Sequence, residues 1–257
     1  MHIPRAVLVT GANRGIGLEW AKQLLRHEHP PKYLFAGCRN TDCPDTTREL
    51  KKLEAEGLKS GHTRVHIVKL DVTNDVIISN AVNFIESIVG EKGLNLLINN
   101  AATLQRDQSM GHLRRDALLH SYNVNAVGPM LLVQAIRYLL AQAAAQQPDA
   151  PLSPTKACII NISSGEASFR VHRTKYGYAY RCSKVALNMA NRCFATDLAR
   201  DGVMSIGLAP GSIATHLTNY RGKTPEESVA MMLQAVEGLN KDHDGRLWTE
   251  DGKEYLW

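Results

Sequence analysis

Short, nearly continuous runs of apolar and β-branched residues alternate along this chain with longer stretches in which apolar positions recur every three or four residues. The short runs predict strands at Ala6 to Thr10, Tyr33 to Gly37, Arg64 to Leu70, Leu94 to Ile98, Ala157 to Ile162 and Ser205 to Leu208. The longer stretches predict helices near Ile16 to His27, Asp45 to Glu56, Asp75 to Val89, Arg114 to Gln142, Tyr178 to Ala199 and Pro225 to Leu239. Strands without polar alternation are buried on both faces, so the expected fold class is α/β, a doubly wound parallel sheet with helices on both faces. Ligands of such sheets bind beyond the carboxyl ends of the strands. The polar, proline-rich stretch Gln146 to Pro154 interrupts the rhythm and reads as a surface loop within one domain spanning 1–257.

Composition narrows the function. The 44% hydrophobic content is ample for one large core, and the formal net charge of +5 comes from basic residues spread along the chain. Without a clustered basic face, nucleic acid is not an expected partner. Five cysteines without Cys-x-x-Cys spacing suggest reduced thiols and a cytoplasmic protein, not disulfides or zinc. The ten histidines form no metal-binding motif, so no metal is expected. The N-terminal apolar run is too short for a signal peptide, and no later segment is expected to span a membrane.

Between the first strand and first helix stands Thr10-Gly11-Ala12-Asn13-Arg14-Gly15-Ile16-Gly17. Glycines there let the backbone turn tightly and let a pyrophosphate approach the N–H groups that open the helix. A carboxylate after the second strand would suit the 2′-hydroxyl of NAD, whereas Gly37-Cys38-Arg39-Asn40 offers a cation. With Arg14 inside the glycine turn, Arg39 points to the extra phosphate of NADP. Farther on, Tyr180 and Lys184 lie four residues apart and so share one helix face, which stacks a phenol beside an ammonium.

In this order these segments resemble the short-chain dehydrogenase/reductases over nearly the whole chain. Thr10 to Gly17 resembles the family's cofactor turn, and Leu70-Asp71-Val72 its adenine-contacting segment. Asn99-Asn100-Ala101-Ala102 is similar to its Asn-Asn-Ala-Gly, and Asn123-Val124-Asn125-Ala126 to the helix region with a catalytic Asn. Asn161-Ile162-Ser163-Ser164 resembles the strand end with the catalytic Ser, Tyr180 and Lys184 its Tyr-x-x-x-Lys, and Pro210-Gly211-Ser212-Ile213-Ala214-Thr215 its Pro-Gly-x-x-x-Thr. Cys38-Arg39-Asn40, Pro225 to Ser228 and Asp251 to Trp257 are most similar to the sniffer-type carbonyl reductases and C-factor-like proteins.

The resemblance implies a Rossmann fold binding NADP(H) and a reduction of an aldehyde, ketone or quinone by hydride transfer. It implies four catalytic residues: Tyr180 as proton donor, Lys184 lowering the phenol pKa and gripping the ribose, Ser164 holding the substrate oxygen, and Asn125 organising a proton-relaying water. Cofactor contacts are implied for Gly11, Asn13, Arg14, Gly15, Ile16, Gly17, Arg39, Asp71, Val72, Asn99, Ala101, Val124, Tyr180, Lys184, Pro210, Gly211, Ile213 and Thr215. A substrate loop is expected at about 212–224, where Arg221 and Lys223 either favour an acidic substrate or face water, and His172 and His216 flank the cleft. Pairing into a homodimer or homotetramer is implied through the long helix after Arg114 and the helix bearing Tyr180. The competing expectation is an NADP(H)-binding sensor or signalling protein with little catalysis.

Overall fold

A computed structural model describes residues 4–105, 109–170, 176–214 and 222–256. Seven strands, β1 (Ala6–Thr10), β2 (Tyr33–Cys38), β3 (Arg64–Lys69), β4 (Leu96–Asn99), β5 (Cys158–Ile162), β6 (Met204–Ala209) and β7 (Leu247–Thr249), form one sheet. Its order is β3-β2-β1-β4-β5-β6-β7, and every neighbouring pair is parallel. This is the doubly wound arrangement, a Rossmann fold, and the strand order reverses beside β1, where Val9 pairs with Ala36 on one side and Ile98 on the other.

Helices α1 (Gly15–Leu25), α2 (Pro44–Ser60), α3 (Asp75–Val89), α4 (Arg115–Tyr122), α5 (Gly128–Ala145), α6 (Tyr178–Leu198) and α7 (Pro225–Glu237) connect and cover the strands. Alternate residues of β1 feed the two layers. Val7 and Val9 pack with Trp20, Leu24, Leu50, Met232 and Val236 on one face, while Ala6 and Leu8 pack with Val82, Ile85, Leu132 and Ile136 on the other. Each such large side chain taken from water contributes about 1.5–3 kcal/mol.

Three differences from the sequence-based expectation have physical causes. The strand β7 was not expected, because its three residues are too few to show a pattern. The helix expected at Arg114 to Gln142 is divided by a π-helical turn at Asn123–Val127. Pro129 has no N–H to offer the Asn125 carbonyl four residues earlier, which disfavours regular α-helix there. Gly128 also lets the backbone press on Val72, since a β-carbon would stand 2.6 Å from the Val72 carbonyl oxygen. Finally, the span Arg115–Ala145 is long and apolar enough to cross a membrane, with a mean hydropathy of 1.4, contrary to expectation. Half of that window is buried inside the protein, where Leu132, Ile136, Leu139 and Leu140 have no exposed surface.

The stretch at 146–154 is a loop, as expected, and Lys156 secures it by donating from Nζ to the carbonyls of Pro148 (3.2 Å) and Ala150 (2.7 Å). A buried polar chain crosses the sheet near its centre. Asn99 Nδ2 donates to Asn161 Oδ1 at 2.9 Å, Asn161 Nδ2 to Asn191 Oδ1 at 3.0 Å, and Ser205 Oγ to Asn191 Oδ1 at 2.8 Å. These groups are buried, so their mutual hydrogen bonds are what make the sequence tolerable at the sheet centre.

Candidate active site

A cleft of about 620 Å³ opens at the carboxyl ends of the strands, beside the reversal of strand order. One wall is the glycine turn, where Gly11 (φ 64°) and Gly15 (φ 55°) occupy left-handed backbone that side chains disfavour. Asn100 latches this turn from β4: its Nδ2 donates to the Thr10 carbonyl (2.8 Å) and the Gly11 carbonyl (3.3 Å). In return, the Thr10 hydroxyl accepts from the backbone N–H groups of Asn100 and Ala101, each at 2.9 Å. The loop is thereby preformed, and it opens α1 with no acidic residue in the first turn to compete for its N–H groups.

Of the residues expected to hold the dinucleotide, Gly11, Asn13, Arg14, Gly15, Ile16, Arg39, Asp71, Val72, Ala101, Val124, Tyr180, Lys184 and Pro210 line the cleft. Gly17 does not: it packs inward, and a β-carbon there would collide with the Gly11 carbonyl and the Asn100 amide. Asn99 also turns away, its side chain bonded to Asn161 inside the sheet. Gly211 lies outside the lining, where its left-handed φ of 76° brings it against the Glu250 carboxylate. Ile213 is buried and joins a short bridge to Lys223. Thr215, Arg221, His172 and His216 lie outside the described residues.

Sequence reasoning did not select Asn40, Thr46, Thr73, Thr103, His120 and Pro225, which also line the cleft. Thr46 was within reach of inference, since it stands in the first turn of the helix that follows Arg39. His120 and Thr103 carry no local signal. Lys223, one of the two cations considered for an acidic substrate, instead pairs with Glu250 at 2.8 Å.

At the other end of the cleft α6 presents Tyr180 and Lys184. Burial of Lys184 is nearly complete, at 2% exposure, and its Nζ donates to the Ile162 carbonyl at 2.6 Å. The ammonium also lies over the Tyr180 ring, 5.8 Å from its centroid. Desolvation pushes the Lys184 pKa down to about 7. Tyr180 keeps part of its surface open to the cleft, yet protein packed around the ring pushes its pKa up, opposed by a hydrogen bond with Ser164 and reinforced by the Glu166 carboxylate. The expected lowering of the phenol pKa by Lys184 is therefore not what this structure shows. Burial dominates, and it keeps the proton on the phenol.

The structure also distinguishes the two serines at the end of β5. Ser163 lines the cleft but spends its hydroxyl on Asn188 Oδ1 (2.6 Å) and is buried, whereas Ser164 lies outside the lining, stays partly exposed and bonds Tyr180. Asn125, in the π-turn, is fully buried and outside the cleft lining. Its Oδ1 accepts from the Thr103 N–H at 2.8 Å, and its Nδ2 donates to the Thr103 carbonyl (2.9 Å) and the Ser183 hydroxyl (3.0 Å). The side chain thus ties the loop after β4 to α6, next to Lys184. Tyr176 and Tyr178 precede Tyr180 in sequence, and Tyr176 is 63% exposed.

Known proteins match this arrangement. A family model described as short chain dehydrogenase matches residues 5–226. The structure of NADPH-bound carbonyl reductase from chicken fatty liver superposes with a TM-score of 0.90 at 35% identity, covering 99% of both chains. The carbonyl reductase Sniffer of D. melanogaster gives 0.91 at 31% identity, covering 99% of this chain and 100% of that one. C-signal of Myxococcus xanthus is 30% identical over 165 residues, which is 64% of this chain and 93% of the relative. With the family model spanning most of its length, this chain belongs to the short-chain dehydrogenase family.

Proposed function

We propose that this protein is an NADPH-dependent carbonyl reductase that converts a small aldehyde, ketone or quinone to an alcohol. The observation that carries the proposal is the Tyr180–Lys184 pair in a cleft that Arg39 also lines, with Ser164 beside Tyr180. The residues suit the dinucleotide: preformed positive-φ glycines and an α1 N-terminus without acids take a pyrophosphate, and Arg39 takes a 2′-phosphate. The similar chicken protein carries NADPH. When bound, a reduced nicotinamide supplies the hydride for the carbonyl carbon.

The chain's own residues handle the proton. Tyr180, held protonated by burial, donates from its hydroxyl to the developing alkoxide, a contribution of about 10²- to 10⁴-fold. Ser164 donates to the same substrate oxygen and fixes it within reach. Lys184, its pKa pushed down to about 7, is protonated in part at neutral pH, and its ammonium form stabilises the phenolate left behind and passes a proton back toward it. Asn125 acts here by fixing the loop after β4 against α6, not by reaching the cleft with its own side chain. We assign the whole chain to one dinucleotide-binding domain with a substrate loop at about 212–224. Its described cysteines are all free, in keeping with a cytoplasmic protein. Pairing through α4 and α6 would cover the exposed side chains of Leu119, Tyr122 and Met189, and light scattering would report it.

The direct test is NADPH oxidation against a panel of quinones, aldehydes and ketones, with Tyr180→Phe alongside. Turnover that persists in Tyr180→Phe removes Tyr180 from its role. Tight NADPH binding without turnover on any carbonyl would favour a nucleotide-binding signalling protein, a reading prompted by the similarity to C-signal.

A further inference from the structure

The turn bearing Ser164 is held from outside the sheet by a segment distant in sequence. After β7 the chain reverses at Gly252, whose N–H donates to the Thr249 carbonyl at 3.0 Å. It returns antiparallel along β7: Thr249 N–H donates to the Lys253 carbonyl (2.8 Å), and Tyr255 N–H to the Leu247 carbonyl (2.7 Å). This hairpin carries Tyr255 onto Gly165, the residue after Ser164. A β-carbon on Gly165 would stand 2.9 Å from Tyr255 Cζ and 3.2 Å from Cε2, and closer still to the phenol oxygen. Gly165 is not in left-handed backbone, so its missing side chain serves to admit this ring. One residue farther, the Leu256 carbonyl accepts from the Ser168 hydroxyl at 2.7 Å.

The same turn is gripped on its other side by α6, where Arg181 forms an ion pair with Glu166. Ser164 itself closes the turn, its hydroxyl accepting from the Glu166 N–H at 3.1 Å. That hydroxyl therefore has two partners, the turn and Tyr180, and its position follows the position of the turn.

We propose that Tyr255, with Leu256, is a strut that sets the Ser164 hydroxyl against Tyr180, making Tyr255 a positioning residue for carbonyl reduction. This rests on the function proposed above. The ring packs on the backbone beside Ser164 and does not line the cleft, so its removal loosens the proton-donating pair while leaving dinucleotide binding intact. Displacements of about 1 Å at such a site cost up to roughly a hundredfold in rate.

The experiment compares Tyr255→Ala, Tyr255→Phe and Gly165→Ala with the parent protein. Tyr255→Ala is expected to lower kcat roughly ten- to a hundredfold with the KM for NADPH within about twofold. Hydrogen exchange, read by mass spectrometry, is expected to quicken at 164–168 and not at the glycine turn. Tyr255→Phe keeps the ring carbons and should restore both readouts. Gly165→Ala, which displaces the ring from the other side, should reproduce the loss even if Tyr255→Ala fails to fold. Parental kcat in Tyr255→Ala or Gly165→Ala overturns the strut, as does a fall in kcat with unchanged exchange at 164–168. Failure of the functional reading is separate: it shows as undiminished turnover in Tyr180→Phe. If no carbonyl is turned over at all, the exchange result alone decides whether Tyr255 holds the Ser164 turn.

Discussion

Replacing Lys184 by Met should abolish turnover and at the same time stabilise the folded chain near neutral pH. The magnitude follows from burial. Bringing this ammonium from its ordinary 10.5 down to about 7 corresponds to roughly 5 kcal/mol of disfavoured charge, at about 1.4 kcal/mol per decade. Against this, Met forfeits the donation to the Ile162 carbonyl, whose loss costs about 1.5–3 kcal/mol. The neutral variant should therefore gain about 2 kcal/mol at pH 7. A folded-state pKa below the unfolded value also fixes the sign of the pH dependence. Below about 7 both states hold the proton and Lys184 disfavours folding most; between about 7 and 10.5 only the unfolded chain holds it, so the penalty fades as pH rises. The advantage of Lys184→Met should shrink by about 2 kcal/mol from pH 7 to pH 9. Urea denaturation of both proteins, followed by tryptophan fluorescence at the two pH values, measures it. A stability difference that does not change with pH would refute the argument that desolvation governs this lysine.

Other substitutions probe the frame around it. Gly17→Ala drives a methyl into the Gly11 carbonyl and the Asn100 amide, and is expected to destabilise the fold by about 1–3 kcal/mol in chemical denaturation. Asn161→Ala strands the buried Asn99 amide and removes one of the two donors to Asn191 Oδ1, and should cost roughly 2–4 kcal/mol by the same measurement. Arg39→Glu, at the cleft end opposite Tyr180, should raise the KM for NADPH at least about tenfold while leaving that for NADH little changed, in steady-state kinetics. His66 stacks on Phe35 at 5.4 Å and meets Phe84 edge-on at 5.8 Å, and burial pushes its pKa below 6.5. Its stabilising effect is thus complete above pH 6.5 and lost as pH falls below that value, so thermal melts of His66→Phe should be less acid-sensitive than the parent.

The alternation of strands and helices was readable because five of the first six strands bury both faces, so their composition announces them, and edge strand β3 still buries Val65 and Val68. The same holds for Tyr180 and Lys184, where a spacing of four dictates a shared helix face whatever surrounds it. What the sequence concealed depends on contacts between distant segments. Gly17 looks like a third phosphate-binding glycine, yet the space it leaves is filled by Asn100 from β4. Asn99 looks like a cofactor contact, yet its partner is Asn161 on the adjacent strand. Ser163 and Ser164 are chemically alike, and only the placement of Asn188 one helix away separates them. Tyr255 meets Gly165 across ninety positions of chain, a distance at which no local pattern operates. The π-turn is a different case, since Gly128-Pro129 inside an expected helix already marked the break.

That π-turn lets the helix between β4 and β5 carry an extra residue in a way a regular helix could not. The wider turn accommodates about one residue more than an α-helical turn of 3.6, and each residue rotates the following helix by about 100°. Deleting one residue from Asn123–Val127 would let hydrogen bonding run straight through from α4. Because the wide turn absorbs that residue, the deletion would leave Leu132, Ile136 and Leu139 facing the sheet. A single-codon deletion there would spare the core face and instead displace Asn125, so the irregular turn works as an absorbed extra residue that adjusts the cleft side of the helix without disturbing the core side.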